Sequence, residues 1–127
     1  MKKATPIIRL LLGAILLIFG LNKFLQFLPA PELPPSASNF FGALIQSGYI
    51  MPMVAVTEII VGVLLLSGFF VPLALVLLAP LSVNIVLFHL NLAPALDAMA
   101  PAILVATFNL FLLFRYKSSY STLLTPR

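Results

Sequence analysis

The stretch IMPMVAVTEIIVGVLLLSGFFVPLALVLLAPLSVNIVLFH, residues 50–89, decides the fold. Its first arm, Pro52 to Ser67, is apolar except for Thr57, Glu58 and Ser67, and its second, Pro72 to His89, is interrupted only by Ser82 and Asn84. Each arm approaches the ~20 residues needed to cross ~30 Å of hydrocarbon. Gly68 to Val71 leaves room for a tight turn only, so the two arms form an antiparallel hairpin crossing a bilayer twice. A carboxylate partway along such an arm is costly against lipid and is expected to face the bundle interior or a wet cavity.

The rest of the 127 residues agrees with this reading. Hydrophobic residues make up 62% of the chain and charged residues 8%, against roughly a quarter charged in soluble domains. Before the hairpin, Ile7 to Leu28 reads as another span, and after it Ala95 to Tyr116 as a fourth. The basic start followed by an apolar run resembles a secretory signal, but the run is long and contains Arg9, and no clear small-x-small cleavage site follows it. It is read as a retained helix. The expectation is an all-α polytopic membrane protein, a single four-transmembrane-helix bundle with spans near 7–28, 51–68, 72–90 and 95–116.

Local signals refine the outline. Gly13 and Gly20 lie near one face of the first span and suit a close helix contact, as Gly62 does beside Glu58. PAPELPPSASN, residues 29–39, is too rich in proline for a regular helix, so a short interfacial helix is expected over Phe40 to Ser47, capped by Ser38 or Asn39. Pro80 should free the Val76 carbonyl and bend the third span. Asn91 to Asp97 reads as a loop, with Pro94 signalling the next helix. Ala98, Ala102 and Ala106 form a small-residue packing stripe, and the tail from Lys117 reads as polar and irregular.

Charge sets the orientation. Lys2, Lys3, Arg9, Arg115, Lys117 and Arg127 flank the first and last spans, and four spans put both ends on one side. The positive-inside bias makes that side cytoplasmic, with Glu32 and Asp97 in the outer loops. These cations form no aromatic-interleaved stripe, so nucleic acid is not an expected partner. Cysteine is absent, which removes thiolate catalysis and sulfur-ligated metal centres; a single histidine cannot clamp a haem, and no metal site is expected.

Sequence distance at 1.5 Å per residue puts Asn22, Glu58 and Asn84 about 10 Å below the outer ends of three spans. Lys23 lies nearer the surface and His89 at the rim. A buried carboxylate must be paired, hydrogen-bonded or protonated, and Lys23 is the one base at the right depth. A Glu58–Lys23 pair is therefore expected, with Asn22 and Asn84 as hydrogen-bonding neighbours and His89 as a proton relay or a donor to a bound carbonyl. The same residues also fit a plain packing clip.

The segments RLLLGAILLIFGLNKF (9–24) and EIIVGVLLLSGFFVPLALVLLAP (58–80), separated by a proline-rich loop, resemble the DoxX family of small four-helix bacterial membrane proteins. The resemblance runs from Arg9 to about Tyr116 and includes Asn22-Lys23-Phe24, Glu58, Gly62, Gly68, Pro72 and Asn84 to His89. It implies an inner-membrane protein connected with quinone-associated or redox-defence complexes. No covalently bound cofactor is expected, and a quinone is the non-covalent candidate. Three functions remain open: a module binding a quinone-like lipophilic ligand in an outer-half polar pocket, a non-catalytic assembly subunit contacting membrane lipid and a redox partner or a second copy, and a small transporter.

Overall fold

The computed structural model describes residues 3–28, 33–92 and 96–123. It is all-α: α1 (Ala4–Leu25), α2 (Pro35–Gln46), α3 (Ile50–Ser67), α4 (Val71–Leu92) and α5 (Leu96–Arg115), followed by a short 3-10 turn, Lys117–Tyr120. Three of these helices, α1, α3 and α4, are long and apolar enough to cross a membrane, with mean hydropathies of 2.2, 2.2 and 2.4. The apolar stretch Met99–Arg115 of α5 is the fourth element of the bundle.

The long helices pack as a ring in the order α1, α3, α4, α5 and back to α1. Each neighbour in the ring is antiparallel. Leu12, Leu16, Val61, Leu65, Leu75, Leu78, Val105 and Leu112 meet in the centre. The outside is apolar as well: Leu10, Ile18, Val56, Ile60, Val76, Leu87, Ile103 and Leu110 are all exposed. An apolar belt this continuous is untenable in water and is the surface expected against lipid. Helix α2 rests on α3 and α4 at the end of the bundle away from the chain termini. It buries Ala37 and sets Phe40 and Phe41 against Phe88, at ring-centroid separations of 5.7 and 4.9 Å.

The α1–α3 crossing is the tightest contact in the bundle. A Cβ on Gly62 would stand 2.9 Å from the Gly13 carbonyl oxygen and 2.9 Å from the Leu17 nitrogen. On Gly20 it would meet the Ala55 carbonyl oxygen at 3.1 Å. The two backbones touch because these positions have no side chains, and touching backbones draw the neighbouring side chains into close register.

Several expected boundaries are corrected. Helix α1 spans Ala4–Leu25 instead of 7–28, because Gln26 turns left-handed (φ 53°) and the Asn22 side chain accepts a hydrogen bond from Leu28 N at 2.8 Å. Helix α2 starts at Pro35 instead of Phe40, and no side chain of Ser38 or Asn39 caps it. Pro34 and Pro35 occupy the N-cap and first helical positions, where a missing N–H costs nothing, so the proline cluster begins a helix that composition alone would end. Helix α4 extends to Leu92 and α5 begins at Leu96, so Asn91 and Asp97 are helical and the expected loop is shorter. The expectations for Glu32 and Pro94 fall outside the described residues. The tail is not wholly irregular either: Tyr120 donates its hydroxyl to the Pro72 carbonyl at 2.8 Å, tying the 3-10 turn to the start of α4.

Candidate functional site

Among the described residues, two polar sites lie inside the bundle. The first is at the α1–α3 crossing, where Lys23 Nζ lies 2.9 Å from Glu58 Oε1. Glu58 is 3% exposed, while the Lys23 side chain retains 24% of its accessible surface. The glycine contacts bring α1 close enough for a lysine in its last turn to reach a carboxylate in the middle of α3. Lysine can do so because its stem packs along apolar surface while the ammonium sits at the far end. The ion pair expected from depth is present.

The other outer-half candidates make different bonds. Asn22 is used at the exit of α1, holding Leu28 N. Asn84 is exposed and donates to the Pro80 carbonyl of its own helix at 2.9 Å. His89 lies 2.9 Å through Nδ1 from the Ile85 carbonyl oxygen. A carbonyl can only accept, so Nδ1 carries a proton and Nε2 is left to serve any external partner. The imidazole also stands edge-on to Phe88, within the aromatic contact to α2. Among the described residues, no hydrogen bond links Asn22, Asn84 or His89 to the Lys23–Glu58 pair, and no three His, Cys, Asp or Glu side chains cluster.

The second site gained no weight from the sequence. Asn109, 2% exposed, donates from Nδ2 to the Leu75 carbonyl at 3.2 Å and receives the Ser82 hydroxyl on Oδ1 at 2.9 Å. Ser82, 4% exposed, can direct the same hydroxyl to the Ala79 carbonyl at 3.0 Å. The pair joins α4 to α5 in the core. Beside it runs an open groove of about 310 Å³, lined by Ala79, Ser82, Val83, Val86, Leu87, Ala106, Asn109, Leu110 and Leu113. A second groove, of about 440 Å³, lies between α1 and α5 along Ile15, Phe19, Ala100, Pro101 and Leu104. Neither is lined by Lys23, Glu58, Asn84 or His89. A sequence signal for Asn109 did exist. It follows Ala102 by two helical turns and Ala106 by three residues, on the face of the small-residue stripe that packs inward.

The DoxX family model matches residues 4–91, well over half of the chain. The chain belongs to the DoxX family. Neither a curated protein nor a solved structure matches it. In this DoxX protein the matched region runs from the first residue of α1 into the last turn of α4, so it holds the Lys23–Glu58 pair and also Ser82, Asn84 and His89. Asn109 lies beyond it, and the buried Ser82–Asn109 bond therefore joins the matched region to α5.

Proposed function

We propose that this DoxX protein is a non-catalytic accessory subunit of a redox-related system in the bacterial cytoplasmic membrane, with both termini in the cytoplasm. The observation that carries the reading is the closure of its most polar site on itself. Glu58 is spent on Lys23 within a glycine-packed crossing, which suits a clip between α1 and α3. The positive-inside bias of Arg9, Arg115 and Lys117 supports the orientation, and the redox setting is what the family resemblance implies. A subunit of this kind offers its apolar exterior to a partner or a second copy. Mild-detergent extraction from native membranes followed by sizing should give a species heavier than the lone chain. A monomer with no copurifying protein sinks the proposal.

A second reading, binding of a quinone-like lipophilic ligand, draws support from the groove beside Ser82 and Asn109; outside that groove, a neutral His89 with its proton on Nδ1 offers Nε2 as an acceptor for a quinol hydroxyl. A quinone needs one or two donors in an otherwise apolar site. Mass spectrometry of the lipid extract of the purified protein tests it. A quinone retained by wild type and lost in Ser82→Ala or His89→Ala supports the reading; an extract without quinone ends it.

A further inference from the structure

The end of the bundle that carries both termini gathers cations that take no part in the Lys23–Glu58 clip. Arg9, half-buried, reaches from the second turn of α1 to the α3–α4 turn, where its guanidinium occupies the space that a Cβ on Gly68 would fill. Arg115, in the last turn of α5, donates from Nε to Thr5 Oγ1 at 3.2 Å. Thr5 and Arg9 are i,i+4 neighbours, about 6 Å apart on one face of α1. One guanidinium therefore comes to this face from α5, and the other stands on it against the α3–α4 turn.

Among the described residues, their surroundings supply no counter-charge. The ion pair found among the described residues is Lys23–Glu58, near the opposite end of α1, and Arg9 has no acceptor among those residues. The neighbouring hydroxyls are engaged elsewhere, Ser67 with the Leu64 carbonyl and Tyr120 with the Pro72 carbonyl. Lys117 is engaged with a ring instead, its Nζ 4.5 Å from the centre of Phe114. Two planar guanidinium forks suit the paired oxygens of a phosphate better than any single-point anion. The exposed side chains of Ile7, Leu10 and Leu11 on the same turns of α1 offer an apolar surface for acyl chains, which a free phosphate would not need.

The geometry points to a phosphodiester site formed by Arg9 and Arg115 at the terminus-bearing end of the bundle, occupied by the headgroup of an anionic phospholipid. Gly68 is part of the site. With φ at 82° and no side chain, it turns the chain from α3 to α4 while leaving room for the Arg9 guanidinium.

Native mass spectrometry of the full chain, exchanged in mild detergent with phosphatidylglycerol or phosphatidylcholine, tests the site. Wild type should retain phosphatidylglycerol in preference, Arg9→Gln and Arg115→Gln should each weaken retention by roughly fivefold, and Lys117→Gln should leave it unchanged. Equal retention of the two lipids overturns the proposal. So does a loss in Lys117→Gln as large as in Arg9→Gln, which would mean a diffuse cationic collar, or displacement of the lipid by inorganic phosphate, which would mean a free-anion site. If Arg9→Gln does not fold, wild type still decides: phosphatidylglycerol must raise its unfolding midpoint more than phosphatidylcholine does.

Discussion

Replacing Lys23 with methionine would strip the cation from the α1–α3 crossing while keeping most of the aliphatic stem. Glu58, 3% exposed, would be left as a carboxylate without a partner in a packed interface. Breaking a buried pair from one side costs about 3–5 kcal/mol. Proton uptake limits the penalty, because neutralising a carboxyl from the ordinary glutamate range costs about 4 kcal/mol at pH 7 and about 1 kcal/mol at pH 5. Lys23→Met should therefore destabilise the bundle by about 3 kcal/mol at neutral pH and by much less at pH ~5. Glu58→Gln should be milder, about 1 kcal/mol, since the lysine left behind sits in the last turn of α1, is 24% exposed, and can extend towards water. The double variant Lys23→Met/Glu58→Gln should recover to within about 1 kcal/mol of wild type, having no stranded charge. Reversible unfolding in mixed micelles, followed by helical circular dichroism at both pH values, measures all three. The reasoning fails if Lys23→Met is no worse than Glu58→Gln, or if its cost is the same at the two pH values.

Other consequences follow from the same packing. Gly62→Ala should cost about 1–3 kcal/mol, because its Cβ would press on the Gly13 carbonyl and the Leu17 nitrogen of α1; Gly42→Ala, with open space around it in α2, should be neutral or slightly stabilising, and thermal melts compare the two. Ser82→Ala should cost about 1 kcal/mol by removing the donor to Asn109 Oδ1, while Ser82→Thr, which keeps the hydroxyl, should recover part of that in the same micelle assay. Burial, with Tyr116 beside it, raises the Tyr120 phenol above the ordinary tyrosine range. A group raised in the folded state contributes its stability fully below its unfolded value, near 10, and loses it as pH climbs through the raised one. Alkaline melts of wild type should thus fall away above that range, and Tyr120→Phe, lacking the bond to Pro72, should start lower and show a shallower decline.

The candidate sites divide by how far each depends on neighbouring helices. Depth along a helix is a matter of counting residues, so the Lys23–Glu58 pair could be anticipated once two spans were known to be antiparallel. Which way a side chain turns at that depth is not a matter of counting. Asn84 and Ser82 are two residues apart on α4, yet Asn84 is exposed and bonds its own helix while Ser82 is buried against Asn109. Depth along the helix favoured Asn84 and passed over Ser82, and the rotation of α4 against α5 put Ser82 inside instead. Helix ends show the same division. The start of α2 at Pro35 follows from the torsion that proline prefers, whereas the exit of α1 depends on the Asn22 side chain reaching Leu28.

By itself the sequence determined that this chain is helical and built for a membrane, how many long apolar segments it has, and at what depth Glu58 and Lys23 lie. Those properties are local: they come from run length, composition and a fixed rise per residue. Only the tertiary structure decided that α1 closes on α3 through Gly13 and Gly62, that α4 and α5 share a buried serine–asparagine bond, and that Arg9 comes to rest on the turn at Gly68. Each of these depends on the rotation and register of one helix against another, fixed where the backbones come close enough to touch, and no single segment encodes it.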